Sequence, residues 1–198
     1  MNRPFLVWLL LSTVWGSTWL FIKVGLAYLP PFTFAGVRFV VALIPLVILL
    51  LIRRPLIPKK LGDWALIFIT GFITFSVNYG LVFWGENHIS SGLTAILYTT
   101  MPLFGLVMAH FVIPSEPMNV FKVAGVLLGI FGVSVIFSNQ LQLENTAALW
   151  GVTAIVVAAI TTAYADILIK VRGKHLDPLV LTVGQMLVGF GPLLLVGW

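Results

Sequence analysis

One charged residue, Arg38, stands within an apolar stretch of the chain, and its side chain is suited to attract an anion such as a carboxylate. Ionisable groups inside apolar segments are costly, and they tend to face a cavity or a charged partner. Arg38 lies about 9 Å inward from the start of its predicted helix, at about 1.5 Å per residue. Two interpretations remain open: Arg38 binds or gates a small anionic molecule, or it extends to a membrane surface and braces a loop.

Aromatic and amide side chains in other apolar stretches form a second group of candidates. Trp15 and Trp19 are one helical turn apart, so they share a face that could stack on a bound molecule. Tryptophan also packs between helices and at membrane interfaces, which is the alternative for both. Asn78 has an amide that is expensive to bury without a partner, so we expect it to bond to a ligand or to a neighbouring helix. The same pool of candidate binding residues contains Tyr79, Trp84, Tyr98 and Thr99.

Two further pairs of ionisable residues are candidates for gating or proton transfer. Asp166 and Lys170 are four residues apart near the end of a later apolar stretch. This spacing predicts a salt bridge along one helix, and a gate is the alternative. Glu86 and His88 fall between two apolar stretches, so we predict that they lie in a solvated loop. A role in proton coupling is the alternative for these two residues.

Sequence motifs for several enzyme classes are absent. The chain has no cysteine, no G-x-x-x-x-G-K-[ST] phosphate loop and no H-E-x-x-H zinc helix. Its few carboxylates form no cluster in the sequence that would suit a metal ion. We therefore predict no ATP hydrolysis, no metal, no cofactor and no catalytic residues for this chain.

Long apolar helices are the elements that must position these candidates. Hydrophobic residues make up 60% of the 198 positions and charged residues only 9%, whereas about 25% charged residues are typical of soluble domains. A helix needs about 20 apolar residues to cross a bilayer. Seven stretches qualify, at residues 4–26, 32–52, 64–84, 90–113, 120–138, 147–169 and 179–198. The fold class predicted is all-α, a polytopic transmembrane helix bundle.

The distribution of basic residues predicts the orientation of the bundle. If the N-terminus is cytoplasmic, nine of the eleven basic residues lie on the inner side, and only Lys23 and Arg38 lie toward the outer side. This is the positive-inside pattern of membrane proteins. It also explains the net charge of +5, so the sequence predicts a lipid bilayer as partner and no nucleic acid.

An internal repeat organises the chain. Shifting the sequence by 147 positions places Ile22-Lys23-Val24 on Ile169-Lys170-Val171 and Pro31 on Pro178, with eight identities in all. Five predicted spans fit in one period, an odd number, so the second copy is inverted in the membrane, as in many secondary transporters. We predict a first five-helix repeat at 1–145 and the first two helices of a second at 146–198. The remaining three helices of a ten-helix parent are then expected beyond this truncated chain.

An ordered set of short segments resembles the EamA-type transporters of the drug/metabolite transporter superfamily. The set begins with WGSTWLFIK at 15–23, then Pro31 with Arg38-Phe39, and continues with Asn78, Trp84, SSGLTA at 90–95 and MPLF at 101–104. It extends to Asp177-Pro178 and Gln185-Met186 in the second repeat. The resemblance implies ten helices in two inverted repeats, a central cavity, and export of amino acids, related metabolites or toxic compounds.

These observations lead to one expected function and two alternatives. We expect a bacterial inner-membrane exporter of small metabolites, amino acids above all, that works by alternating access around Arg38, Trp15, Trp19 and Asn78. Protons are a candidate coupling ion because the chain has no ATP-binding motif, and a homodimer is a candidate assembly. The alternatives are multidrug efflux, or a structural or enzymatic membrane subunit without transport activity.

Overall fold

The structure is a computed structural model that describes residues 3–140 and 146–198. Over these ranges all regular elements are helical. They are α1 (Arg3–Gly25), α2 (Pro31–Arg53), α3 (Leu61–Gly71), a π-helical segment (Phe72–Asn78), α4 (Tyr79–His88), α5 (Ser91–Tyr98), α6 (Met101–Val112), α7 (Val120–Gln140), α8 (Thr146–Arg172) and α9 (Pro178–Val196).

Six helical stretches are long and apolar enough to cross a membrane: Pro4–Gly25, Pro31–Arg53, Leu61–His88, Ser91–Val112, Thr146–Arg172 and Pro178–Val196. The seventh predicted stretch is helical too, as α7, with a shorter apolar part at Val120–Gly132. Helices suit this environment because they satisfy their backbone hydrogen bonds internally. The prediction of an all-α, polytopic transmembrane bundle is confirmed.

The third span differs from its prediction at both ends and in its interior. It runs from Leu61 to His88, with the π-helical segment between α3 and α4. The predicted solvated loop at Glu86 and His88 is therefore wrong, because both residues belong to α4. The sequence around them is polar, but the helix continues to Ile89, whose extended backbone ends it.

A break divides the fourth span into α5 and α6. α5 ends at Tyr98, a turn covers Thr99 and Thr100, and α6 begins at Met101 with Pro102 in its first turn. Proline lacks the N–H that an interior helical position needs, so it is tolerated at the start of a helix. The side chains of Thr99 and Thr100 bond to main-chain oxygens of α5 in this turn.

Helix α8 is the centre of the bundle, and it contacts α3, the π-helical segment, α4, α5 and α6. Its buried positions are mostly small: Gly151, Ala154, Ala158, Ala159, Ala163 and Ala165. Small residues let helix backbones approach closely, which is the main source of packing between helices in lipid. At the closest point, a Cβ on Gly85 of α4 would lie 2.9 Å from the oxygen of Gly151.

Helices α2 and α9 pack in antiparallel directions. Thr33 near the start of α2 donates to the oxygen of Gly197 after α9, at 2.7 Å. One turn further, a Cβ on Gly36 would meet the Leu194 side chain at 2.6 Å. These two helices are counterparts in the predicted repeat, and an inverted pair has opposite directions. The repeat itself stays a prediction, and its boundary at 145 lies outside the described residues.

Two ion pairs connect helix ends on the side predicted to be cytoplasmic. His175 Nε2, after α8, lies 2.9 Å from Asp63 Oδ1 at the start of α3. Lys170 Nζ of α8 lies 2.7 Å from Glu116 Oε1, in the turn between α6 and α7. The predicted salt bridge between Asp166 and Lys170 is therefore wrong, because Lys170 pairs with a residue from a different part of the chain.

Candidate functional site

A polar cluster inside the bundle is centred on the Tyr98 hydroxyl. The Tyr98 oxygen lies 2.9 Å from Oγ1 of Thr162 on α8, and it donates to Oδ1 of Asn78 at 3.3 Å. Since a phenol has one proton, donation to Asn78 leaves the Tyr98 oxygen to accept from Thr162. The Trp19 ring of α1 lies 5.3 Å from the Tyr98 ring, centroid to centroid. We call Trp19, Asn78, Tyr98 and Thr162 the tyrosine cluster.

Two polar members of the tyrosine cluster lie at the end of a helical segment, and the third lies among the small buried residues of α8. Asn78 is the last residue of the π-helical segment, and Tyr98 is the last residue of α5. Thr162 stands one turn beyond Ala158 in the small-residue surface of α8. Asn78 lies about 15 Å along the helix from His88, near mid-depth of a hydrocarbon core about 30 Å thick. π-helical turns occur often at functional sites.

The chemistry of the tyrosine cluster is that of neutral hydrogen bonding beside an aromatic surface. A hydroxyl both donates and accepts, and an amide offers an oxygen and two N–H groups. Such groups fix the orientation of a small polar molecule within an otherwise apolar site. The Trp19 ring adds a face on which a planar or apolar part of that molecule can pack.

A second polar region lies toward the end of the bundle where α4 ends. Lys23 of α1 donates from Nζ to the main-chain oxygens of Glu86 at 2.5 Å and Ile89 at 2.7 Å. The last carbonyl groups of a helix have no partner within the helix, and a lysine there also complements the helix dipole. Lys23 therefore closes the end of α4 and fastens α1 to it.

The Glu86 side chain points into this region without a hydrogen-bond partner. Its exposed fraction is 0%, and among the described residues neither carboxyl oxygen has a partner. The positive charges that act on it are those of Lys23 and Arg38. The Arg38 guanidinium lies 6.0 Å from the centre of the Phe83 ring, one turn before Glu86.

The remaining predicted site residues lie elsewhere. Tyr79 packs among aromatic rings, with centroids 4.7 Å from Phe39 and 5.8 Å from Phe75. The Trp84 ring lies close to the His88 ring, tilted against it, and Trp84 lines a separate groove of about 290 Å³. Trp15, Thr99 and Asp166 are exposed on the bundle surface. The structure thus brings together Trp19, Asn78 and Tyr98, and it places Arg38 apart from them, beside Phe83 of α4.

Sequence reasoning missed several polar contacts that connect helices. Thr162 was no candidate, although it interrupts a row of alanines at helical spacing, which is a usable signal. Buried Gln185 of α9, the counterpart of Arg38 in the predicted repeat, donates to Thr70 Oγ1 at 2.7 Å. Ser76 donates to the Gly189 oxygen at 2.8 Å. These contacts fix α9 against α3 and the π-helical segment.

A bundle of apolar helices with polar side chains clustered at mid-depth defines a polytopic helical membrane protein. The family comparison agrees: the EamA-like transporter family matches residues 3–138, and the chain belongs to it. No solved structure matches the chain.

Curated relatives give the same classification. An uncharacterized transporter of Bacillus subtilis, YoaV, is 32% identical over 182 residues, covering 90% of this chain and 61% of the relative. A second from B. subtilis, YvbV, is 29% identical over 198 residues, covering 100% and 63%. The uncharacterized inner membrane transporter YedA of Escherichia coli K12 is 31% identical over 161 residues, covering 79% and 50%. The chain thus spans half to two thirds of the length of these relatives.

Proposed function

We propose that the protein exports small metabolites, amino acids above all, as a secondary transporter that works by alternating access. The observation that carries this proposal is the tyrosine cluster, where three helices from separate parts of the chain place polar groups at mid-depth. In lipid, polar side chains that face a bundle interior are expensive and commonly mark a substrate pathway. Membership of the EamA-like family supports the same class.

The tyrosine cluster is proposed as the substrate site. Tyr98 and Thr162 would exchange their mutual hydrogen bond for bonds to the substrate, and Asn78 would bind through its amide. Trp19 covers the site from α1, which is the least buried of the six membrane-spanning stretches. A peripheral helix fastened at its outer end by Lys23 is a suitable moving element for opening the site to one side.

Arg38 is proposed to attract the substrate carboxylate at the outer end of the pathway. Its guanidinium lies beside Phe83, on the helix that leads from Glu86 down to Asn78. Trp15, Tyr79, Trp84 and Thr99 are proposed, with less direct support, to line other parts of the route. Asp166 and Lys170 are proposed as residues of the inner gate. The exposed ion pair between Lys170 and Glu116 supports this role for Lys170.

The proposed location is the bacterial inner membrane, with the N-terminus in the cytoplasm. The relative YedA is named an inner membrane transporter, which supports the location. The positive-inside pattern supports the orientation, since Lys59, Lys60, Lys170 and Lys174 all lie at the end opposite to Lys23.

An export assay tests the proposal. Bacterial cells expressing the full-length protein and matched cells without it are supplied with excess amino acids, and intracellular and medium levels of all amino acids are measured. We expect at least one amino acid to accumulate in the medium faster with the protein. Arg38→Ala should reduce this export, because it removes the charge proposed to attract the carboxylate.

The same assay separates the alternatives. If no amino acid moves but resistance to aromatic drugs rises, the protein is a multidrug exporter. If neither amino acids nor drugs move, although the protein is present in the membrane, the exporter proposal is wrong.

A further inference from the structure

Glu86 is the one described side chain whose buried oxygen atoms lack a hydrogen-bond partner. It lies on the last turn of α4 with an exposed fraction of 0%. A carboxylate buried in this way, without hydrogen bonds, is strongly destabilised relative to water. A neutral carboxylic acid is much less costly to bury. An ionised Glu86 therefore destabilises the conformation described here.

The charged groups near Glu86 form no ion pair with it that could neutralise its carboxylate in place of a proton. From α1, the Lys23 ammonium is held by main-chain oxygens at the end of α4. From α2, Arg38 lies beside Phe83, and no ion pair within 4.0 Å joins either base to Glu86 over the described residues. On its own helix, His88 bonds to the Trp84 oxygen at 2.8 Å and Tyr79 lies two turns away.

The other helices that pack against the last turns of α4 place little charge near Glu86. α8 contributes Gly151 and Ile155 to the contact with the last turns of α4. α5 begins just beyond α4, and its one titratable residue, Tyr98, is at its far end. Lys23, Arg38, His88 and Tyr79 are thus the ionisable groups that face Glu86 from the elements packed around it.

We propose that Glu86 is the proton-binding site of the exporter, and that it must take up a proton before the outer end of the bundle closes. The inference rests on the proposed function, and it names the coupling ion and the residue that binds it. When the contact between Lys23 and α4 opens, water reaches the Glu86 carboxylate, which accepts a proton from the outer side. The neutral side chain can then be buried, and Lys23 closes the end of α4 again.

This order of events couples the proton to the return of the empty transporter. After substrate leaves to the outside, closure buries Glu86 together with its proton, so the proton enters the protein as the substrate exits. Its release follows toward the interior, where Tyr79 and then the tyrosine cluster are the next polar groups along the helix. The net result is exchange of an external proton for an internal substrate.

Infrared spectroscopy tests the bound proton without requiring transport. The full-length protein in lipid vesicles is titrated with pH, and the carbonyl band of protonated carboxylic acid is recorded. We expect a band at neutral pH that Glu86→Gln removes and Glu86→Asp retains. Glu116→Gln is the matched control, since Glu116 lies in a surface ion pair, and it should leave the band unchanged. The proposal is overturned if the wild-type protein shows no such band at neutral pH, or if the band persists in Glu86→Gln.

Transport in intact cells tests the coupling. Cells expressing the full-length protein are loaded with a radiolabelled amino acid mixture, and net efflux is compared with exchange against unlabelled amino acids in the medium. Acidifying the medium should raise net efflux several-fold, and exchange should rise with it, because the outer end closes and buries Glu86 in both processes. Glu86→Gln should lose this pH dependence, and Glu86→Asp should keep it.

The two proposals fail in different ways. If wild-type efflux does not depend on expression of the protein, the exporter proposal fails, and the infrared result still decides whether Glu86 binds a proton. If wild-type efflux is strong and Glu86→Gln keeps the full pH dependence, the exporter proposal stands and the proton site is contradicted.

Discussion

The Nζ atom of Lys23 lies 2.5 Å from the main-chain oxygen of Glu86, so the end of α1 is fastened to the end of α4. A second bond to Ile89 at 2.7 Å strengthens this contact. Most side chains of α1 are exposed, and Ile22 is its buried residue in the core. Lys23 thus adds a polar attachment to α4, beside the packing of Trp19 on Tyr98 and the burial of Ile22 in the core.

Removing this contact should loosen the end of the bundle where α1 and α4 end. Lys23→Met keeps a long apolar side chain but leaves the α4 carbonyl groups without their donor, which costs about 1–3 kcal/mol. Because the chain has no native cysteine, Asn87→Cys gives a single labelling site next to the contact. We expect Lys23→Met to speed maleimide labelling at this site several-fold.

Lys122→Met is the matched control for this measurement. Lys122 also donates from Nζ to one main-chain oxygen, that of Pro117, at the opposite end of the bundle. Lys122→Met should leave the rate of labelling at Asn87→Cys unchanged. Equal rates in the two proteins, with and without Lys23→Met, would show that Lys23 does not hold the end of α1 against α4.

A glycine contact between α9 and the third span is a second point of sensitivity. A Cβ added at Gly189 would overlap the Cβ of Phe75 and approach the Gly71 oxygen to 3.1 Å. Gly189→Ala should lower the free energy of unfolding by about 1–3 kcal/mol, the usual cost of overpacking. Gly16→Ala is the control, because nothing lies within 4 Å of its added Cβ, and alanine favours a helix. Thermal unfolding in detergent compares the two; equal melting temperatures would contradict the packing described for α9.

The sequence predicted the spans well because membrane crossing depends on a local property, a long run of apolar residues. Glu86 was placed in water because the polar sequence GENH resembles a loop. Its burial depends on Lys23 and α8, which come from distant parts of the chain.

The partners of polar side chains were less predictable than the helices. Lys170 has Asp166 at helical spacing, yet it pairs with Glu116, 54 positions away. Similarly, Thr162 meets Tyr98 across 64 positions. Such contacts depend on which face each helix turns to its neighbour, and short-range spacing does not contain that information.

The orientation of the bundle has a direct test in the cysteine-free chain. Asn87 lies near the end of α4 and Lys59 lies in the segment before α3, at opposite ends of the third span. If the N-terminus is cytoplasmic, an impermeant maleimide should label Asn87→Cys in intact cells. It should label Lys59→Cys only after the membrane is permeabilised. The reverse pattern would contradict the predicted orientation.

The Glu116–Lys170 pair should respond to acid. The hydrogen bond from Lys170, with its positive charge, lowers the pKa of the Glu116 carboxyl below its ordinary value of 4.5. A carboxyl with a lowered pKa contributes stability above its unfolded value, and this contribution is lost as the pH falls through the lowered value. A spin label at Ser115→Cys should therefore become more mobile only below about pH 4.5. Lys170→Gln should give the mobile spectrum already at neutral pH; a spectrum unchanged by this substitution would show that the pair does not hold the turn.

The proposed substrate site at the tyrosine cluster is tested by the substrate affinity of variants that lack one hydroxyl group. The full-length protein is reconstituted in lipid vesicles, and KM is measured for the amino acid that the export assay identifies. Tyr98→Phe removes the central hydroxyl of the cluster, whereas Tyr164→Phe removes one from an exposed tyrosine on α8. Loss of one buried hydrogen bond, about 1–1.5 kcal/mol, corresponds to roughly tenfold weaker binding. We predict a KM raised about tenfold in Tyr98→Phe and unchanged in Tyr164→Phe; equal KM values in both variants and the wild type would contradict the assignment of the site.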